Sequence, residues 1–393
     1  MPRTQSLFPK SAVTMSDLSQ AAPPLLGSSL LASAKAHEKA RPLPASSGSA
    51  TIDQNALDGG FRYGEITSIA GASGMGKTLL AYHAVASHIL AHELGEVAFI
   101  DTTGSFSPLR LRNVLTYRLE SQIQRNSYQE TGYMYEKRIS ALENRKEAMI
   151  EKATSMLDRV KFMRVFNFAG VVEAISEINE LMEGVMRKPQ KPTFVAVEKR
   201  RDEINDSEEE LDEEDEELQT EGIVDPGDIQ DGDRQRGSIG MIIIDTITNI
   251  VSAMMAKSQI QGQALLANFM RSLHHLTSHH HICTILTNAA VGMNPSNNPE
   301  YQHGPREDVS IFSSTMGRPA LGKTFTFLID TSIFLSAVPK TSEDATIAFG
   351  DGREASSYQK ALILEILKDR CGTREGRWAA FEIAADAKIV PSG

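Results

Sequence analysis

The sequence predicts an α/β protein: a mainly parallel twisted sheet flanked by helices, with antiparallel strands at one edge. Three observations carry this reading. Short apolar runs at 65–70, 97–101, 240–245 and 282–288 have the character of strands buried on both faces. Helix-forming segments separate most of them, which is the pattern of parallel pairing. Farther on, apolar runs at 325–335, 361–367 and 378–383 follow one another, as antiparallel edge strands do.

The first strand leads into Gly71-Ala72-Ser73-Gly74-Met75-Gly76-Lys77-Thr78, a complete G-x-x-x-x-G-K-[ST] phosphate-binding loop. A helix rich in Ala and Leu follows at 79–90. Glycines let the backbone bend so that its N–H groups face phosphate at the positive end of that helix. Lys77 is then placed for the β- and γ-phosphates of a nucleoside triphosphate, and Thr78 for Mg²⁺. The run at 240–245 ends in Asp245, the second nucleotide motif, whose carboxylate belongs near Thr78 holding Mg²⁺ through water.

Around this centre the chain divides into four parts. Residues 1–50, rich in Ser, Ala and Pro, read as a disordered arm, an untargeted tail in preference to a transit peptide. Residues 51–385 read as the folded core, and 386–393 as a tail. Within the core, 109–160 looks helical, with Ile139, Leu142, Met149, Ile150, Ala153, Met156 and Leu157 as a packing face. A short strand at 160–166 and an amphipathic helix at 170–185 follow, and another helix at 264–276. Residues 290–320, rich in Gly, Pro and Asn, read as a long loop.

Residues 190–238 interrupt the core as an acidic insertion that cannot collapse. Asp202 to Asp233 holds 17 Asp and Glu and no Lys or Arg. Removing those 17 charges from the total of −11 leaves the rest of the 393-residue chain at +6. The insertion reads as a solvated surface segment; a regulatory segment, or a docking tail for a basic partner, is the alternative. Ser207 among the acids has the setting of an acidophilic kinase target. With only Cys283 and Cys371, a disulfide framework and a cysteine zinc site are excluded. No apolar run reaches the length of a membrane span.

The chain resembles the RecA/RadA strand-exchange ATPases. The resemblance rests on Leu57-Asp58-Gly59-Gly60 leading into Gly64-Glu65-Ile66-Thr67, on the phosphate loop, and on Ile100-Asp101-Thr102-Thr103-Gly104 through Leu111. It rests also on Ile244-Asp245-Thr246, Leu286-Thr287-Asn288 and Arg318-Pro319-Ala320-Leu321-Gly322. Among eukaryotic members the chain is most similar to the non-catalytic recombinase paralogues, particularly the D-type. That implies a RecA-type core acting in homologous-recombination DNA repair. ATP would be bound at an interface with other paralogues, and the chain would help load or stabilise the main recombinase on single-stranded or branched DNA in the nucleus.

Two departures from the family pattern bear on catalysis. Thr103 stands where the family has its general-base Glu, and a hydroxyl near neutral pH cannot accept that proton. Ala289 stands where the family has a Gln that senses the γ-phosphate, and alanine makes no such hydrogen bond. The resemblance thus implies ATP binding with weak hydrolysis, unless a neighbour such as Asp101 or Asn288 substitutes. The alternatives are a fully active DNA-dependent ATPase performing strand exchange, or a RecA-like helicase.

The resemblance places DNA at the loop 249–263, whose only cation is Lys257, and at the second loop, with Arg306, Arg318 and Lys323. Arg318 and Lys323 equally fit loop-anchoring charges. It places Arg110 near adenine, and Asp369 over the ATP of a neighbouring protomer. His274, His275, His279, His280 and His281 read as a solvated turn, and Trp378 as core. If the insertion screens the basic core, deleting residues 202–233 should strengthen single-stranded DNA binding, more at low salt than at high salt. Fluorescence anisotropy across a salt series checks this; unchanged affinity would leave the insertion a docking tail or spacer.

Overall fold

The computed structural model describes residues 26–29, 31–32, 35, 42–127, 138–187, 238–292, 310–312, 314–315, 317–349, 359–370 and 372–392. The chain has two units. In Met1–Pro42 the described residues 27–29, 31–32 and 35 are helical, and Leu26 and Leu31 are exposed. Leu43–Gly393 holds the sheet. The acidic insertion, with Ser207, lies outside the described residues, as do Arg306 and Cys371.

The strands are β1 (Ile66–Gly71), β2 (Glu96–Asp101), β3 (Val160–Arg164), β4 (Ile239–Asp245), β5 (Cys283–Gly292), β6 (Gly317–Pro319), β7 (Thr331–Pro339), β8 (Lys360–Asp369), β9 (Trp378–Ala384) and β10 (Lys388–Pro391). Their order is β3-β2-β4-β5-β1-β7-β8-β9-β10, with β6 paired antiparallel to β5. Every pair from β3 to β7 is parallel, and the pairs from β7 to β10 are antiparallel. The expected parallel sheet with an antiparallel edge is therefore the observed one.

The apolar runs became central strands because both faces are covered. Val97, Phe99, Met241, Ile243 and Ile285 face one core, beneath α1 (Lys77–Ala91), α2 (Pro108–Ser127) and α3 (Arg138–Met156). Their alternates Ala98, Ile100, Ile242, Ile244 and Leu286 face the other, beneath α4 (Phe168–Arg187), α5 (Ile247–Lys257) and α6 (Gln259–His279). Two-residue alternation serves both layers at once. Because β1, β2, β4 and β5 run parallel, their carboxyl ends share one edge of the sheet. In open α/β sheets that edge is where ligands bind.

The structure differs from the sequence reading at several places. Residues 249–263 are not a loop: α5 and the first turn of α6 cover them, broken only at Ser258. Ile247, Ile250 and Val251 bury one helical face there, at spacings of three and four. Residues 325–335 are not one strand. A short helix, α7 (Gly322–Phe327), precedes β7 and buries Phe325. An eight-residue helix, α8 (Ser342–Phe349), follows β7. Residues 388–391, read as tail, form β10, and its Ile389 enters the core. The core also begins earlier than residue 51: Ala45 is buried and exchanges backbone hydrogen bonds with Phe61. Trp378 is 45% exposed, because its ring faces the edge of Phe312 at 5.3 Å and not the interior. Of the packing face in the 109–160 segment, Ala153 is buried, and Met149, Met156 and Leu157 pack on the core.

Candidate nucleotide site

The phosphate loop joins the carboxyl end of β1 to the amino end of α1. Gly74 and Gly76 have φ of 82° and 87°, the left-handed region that a side chain rarely adopts. A Cβ on Gly76 would lie 2.8 Å from Ile383 Cδ1, so β9 closes against the loop there. Nothing stands within 4 Å of a Cβ built on Gly74, which leaves the mouth of the cradle open. Lys77 Nζ donates to the carbonyls of Gly71 and Ala72, each at 2.8 Å. Burial draws the Lys77 ammonium below its ordinary pKa, and Asp245 works in the opposite direction. A desolvated ammonium in a bent loop of backbone N–H groups suits a polyphosphate.

Asp245 stands at the end of β4, buried, and accepts the Thr78 hydroxyl on Oδ2 at 2.7 Å. Two motifs 167 residues apart in sequence therefore meet. The other carboxylate oxygen accepts the Thr287 hydroxyl from β5. A hydroxyl beside a carboxylate at a helix N-terminus is the oxygen-only donor set that suits Mg²⁺. Gly71, Ala72, Ser73, Gly74, Met75, Gly76, Lys77, Thr78 and Asp245 are thus brought together. Thr287 stands in the Leu286-Thr287-Asn288 run that carries the family resemblance, but its bond to Asp245 was not foreseen.

The catalytic positions are arranged differently. Thr103 is exposed; its N–H donates to Asp101 Oδ1 at 2.9 Å and its hydroxyl to Ser105 at 2.9 Å. Asp101 is buried and fully engaged. Burial raises its carboxyl pKa, but N–H groups of Thr103, Phe106, Gly104 and Ser105 outweigh that and hold it below the ordinary value. Four backbone N–H groups thus occupy the Asp101 carboxylate. Asn288 is fully buried with Oδ1 accepting from Thr248 at 2.7 Å, which leaves it no exposure to a nucleotide. Ala289 N–H donates to Thr248 Oγ1 at 2.7 Å.

The remaining candidates scatter. Arg110 is exposed in the first turn of α2, within electrostatic reach of Tyr82. The Tyr82 hydroxyl accepts from Ser107 N–H at 2.8 Å and ties that loop to α1. The Asp369 carboxylate has no exposed side-chain surface. Its oxygens accept from Arg374 Nε at 2.7 Å and Nη2 at 2.9 Å, so it is engaged within its own chain. Lys257 ends α5, Arg318 lies on β6 and Lys323 on α7, all exposed. Among the histidines, His274 lies 3.1 Å from Asp330, and His275 stacks on His279. Among the described residues no group of three His, Cys, Asp or Glu could hold a metal.

Residues 39–190 match the family model described as Rad51. Over that span, under half of the chain, the sequence is similar to the Rad51 family. The matched span includes the phosphate loop and β1 to β3, and the sheet continues beyond it through β4 to β10. Over 139 residues the chain is 27% identical to a "DNA repair protein RAD51 homolog 3" of Dictyostelium discoideum. That alignment covers 34% of this chain and about a third (32%) of the relative. The resemblance drawn from the motifs thus has an independent footing over residues 39–190.

Proposed function

We propose that this chain is an ATP-binding recombinase paralogue of homologous-recombination repair. It assists assembly or stability of the recombinase filament on single-stranded or branched DNA, working in the nucleus with other paralogues and the main recombinase. The observation that carries this reading is the 2.7 Å contact of Thr78 with Asp245 beside a complete phosphate loop in a span similar to the Rad51 family. Backbone N–H groups of 73–78 and Lys77 hold ATP, and Thr78 and Asp245 hold Mg²⁺. Bound ATP supplies charge and shape at the carboxyl edge of the sheet; the chain's own groups bind and orient it. With Thr103 exposed and the Asp101 carboxylate occupied by four backbone N–H groups, activation of water is poor.

The outer edge strand supports an assembly role. Among the described residues β3 pairs only with β2, and its side carries Phe162 at 45% exposure, followed by Phe166 at 77%. A pocket of about 430 Å³ lies beside it, lined by Phe106, Pro108, Leu157 and Phe162 among others. Exposed aromatics on an unpaired strand edge are a feature of partner surfaces.

Hydrolysis in the presence of single-stranded DNA should run roughly 10²-fold or more below that of an active recombinase, the scale of general-base catalysis. Thr103→Glu should raise it. Phosphate release assays on both forms check this. A wild-type rate equal to that of an active recombinase would return the reading to a strand-exchange ATPase.

A further inference from the structure

The antiparallel end of the sheet carries an aromatic pair that the nucleotide site does not use. Trp378 on β9 is 45% exposed, and the Phe312 ring stands 5.3 Å from it, edge to face at 84°. Ile311, beside Phe312, is 57% exposed. The pair is held in place from below. Glu365 of β8 is 1% exposed, and its carboxylate accepts the Ser310 hydroxyl and, at 2.7 Å, the Ile311 N–H. Ser310 Oγ in turn accepts the Phe312 N–H at 3.1 Å. Glu365 is in register with Trp378 on one side and with Phe334 of β7 on the other. A cation stands across the same face. A Cβ on Gly317 would lie 3.2 Å from the Phe334 ring, so β6 crosses there, and the next residue, Arg318, is exposed. Adjacent strands lie about 4.8 Å apart, which puts Arg318 within roughly 15 Å of Trp378. The acids of this face are engaged: Glu365 as above, and Glu382, farther along β9, with Lys340 at 2.9 Å. Between Trp378 and Glu382 the same side of β9 presents only the small Ala380.

We propose that Trp378, with Phe312, is a stacking platform for the unpaired bases of single-stranded nucleic acid, and that Arg318 takes an adjoining phosphate. The inference deepens the DNA-binding part of the reading above and rests on it. Every base has a π-face, so an exposed indole accepts any of them, whereas a duplex keeps those faces stacked inside. An aromatic surface with a cation a short distance away, and with its acids engaged, matches a strand in which bases alternate with phosphates. Trp378 lies outside both segments where the family resemblance places DNA. The fold brings it to the returning end of the second one through the Glu365 anchor.

Trp378 is the chain's only tryptophan, so its own emission reports on the platform. The full chain, with Mg²⁺ and a non-hydrolysable ATP analogue, is titrated with a short oligothymidylate and separately with a duplex of the same length. Anisotropy of a labelled strand follows binding in parallel. The single strand should quench the tryptophan emission as it binds, and the duplex should leave it unchanged. Trp378→Ala should lower single-strand affinity roughly 5- to 150-fold, the range for one base stacked on an aromatic ring. Trp378→Phe should restore most of that affinity, and thermal melts check that both variants fold. Arg318→Gln should weaken binding and reduce the salt slope by about 1. Single-strand binding with unchanged emission overturns the proposal, as does equal affinity in the wild type and Trp378→Ala; either result leaves Trp378 to a protein partner. No anisotropy change in the wild type is a different failure: it removes the DNA-binding reading itself, and the platform with it.

Discussion

Lys77→Ala should lower ATP affinity by roughly 10- to 150-fold, the value of a hydrogen bond to a charged group. The ammonium is the phosphate's only fixed positive charge inside the loop and sits in a partly desolvated setting, where such a contact counts for more than in water. The substitution removes two 2.8 Å bonds to loop carbonyls. Leu79 and Leu80, both buried, still anchor the start of α1, so the fold should survive. Titration with a fluorescent ATP analogue, with a thermal melt of each form, separates the two effects. Equal affinity in both proteins would remove the nucleotide site from this loop.

The largest effect on stability should come from Asp369 and Arg374. Arg374 is 2% exposed and reaches the Leu57 carbonyl at 3.2 Å, the Thr331 hydroxyl at 2.9 Å and Glu65 at 3.6 Å, besides Asp369. Asp369→Ala leaves that guanidinium only the more distant Glu65 carboxylate and should cost up to about 3–5 kcal/mol, the penalty for breaking a buried charge pair. Replacing both residues by apolar ones of similar volume should cost much less. Burial alone raises the Asp369 carboxyl pKa, but its bonds to Arg374 outweigh that and hold it below the ordinary value. A folded pKa below the unfolded one stabilises above the unfolded value, near 3.9, and the contribution is lost as pH falls through the folded value. Denaturant melts between about pH 5 and pH 2 should therefore fall more steeply for the wild type than for the apolar pair. His83 adds an earlier acid limb. Burial pushes it down to about 4, so its contribution fades from its ordinary value of 6.5 downward. Parallel curves for wild type and apolar pair would mean that Asp369 does not titrate as described.

Much of this fold was legible because its signals are local. The doubly buried strands are runs of Ile, Val and Phe, and the phosphate loop is an ordered string of eight residues. Asp245 could be found as the acid ending such a run. What was not legible depends on tertiary contacts. Asp369 has a suggestive place near the end of a strand, but its role is decided by Arg374 five residues on, which folds back onto it. Trp378 is on a strand whose exposed side cannot be told from its buried side by residue type. The helix α5 was legible in principle: Ile247, Ile250 and Val251 keep helical spacing, and the resemblance to a loop-bearing family displaced that signal. Thr248 is a short hydroxyl residue of a kind found everywhere, and Thr246 and Thr287, though within motif runs, carry no local sign of their partners. Only the sheet register, which brings β4 beside β5, turns them into a network.

The central claim is a site that binds ATP and barely turns it over. A single-turnover experiment tests it most directly: γ-labelled ATP is bound to the full chain with Mg²⁺ and single-stranded DNA, and bound ATP and released phosphate are followed together. The account predicts that ATP is retained, with phosphate appearing roughly 10²-fold or more slowly than from an active recombinase under the same conditions. No retained nucleotide, or release at the active recombinase's rate, would contradict it.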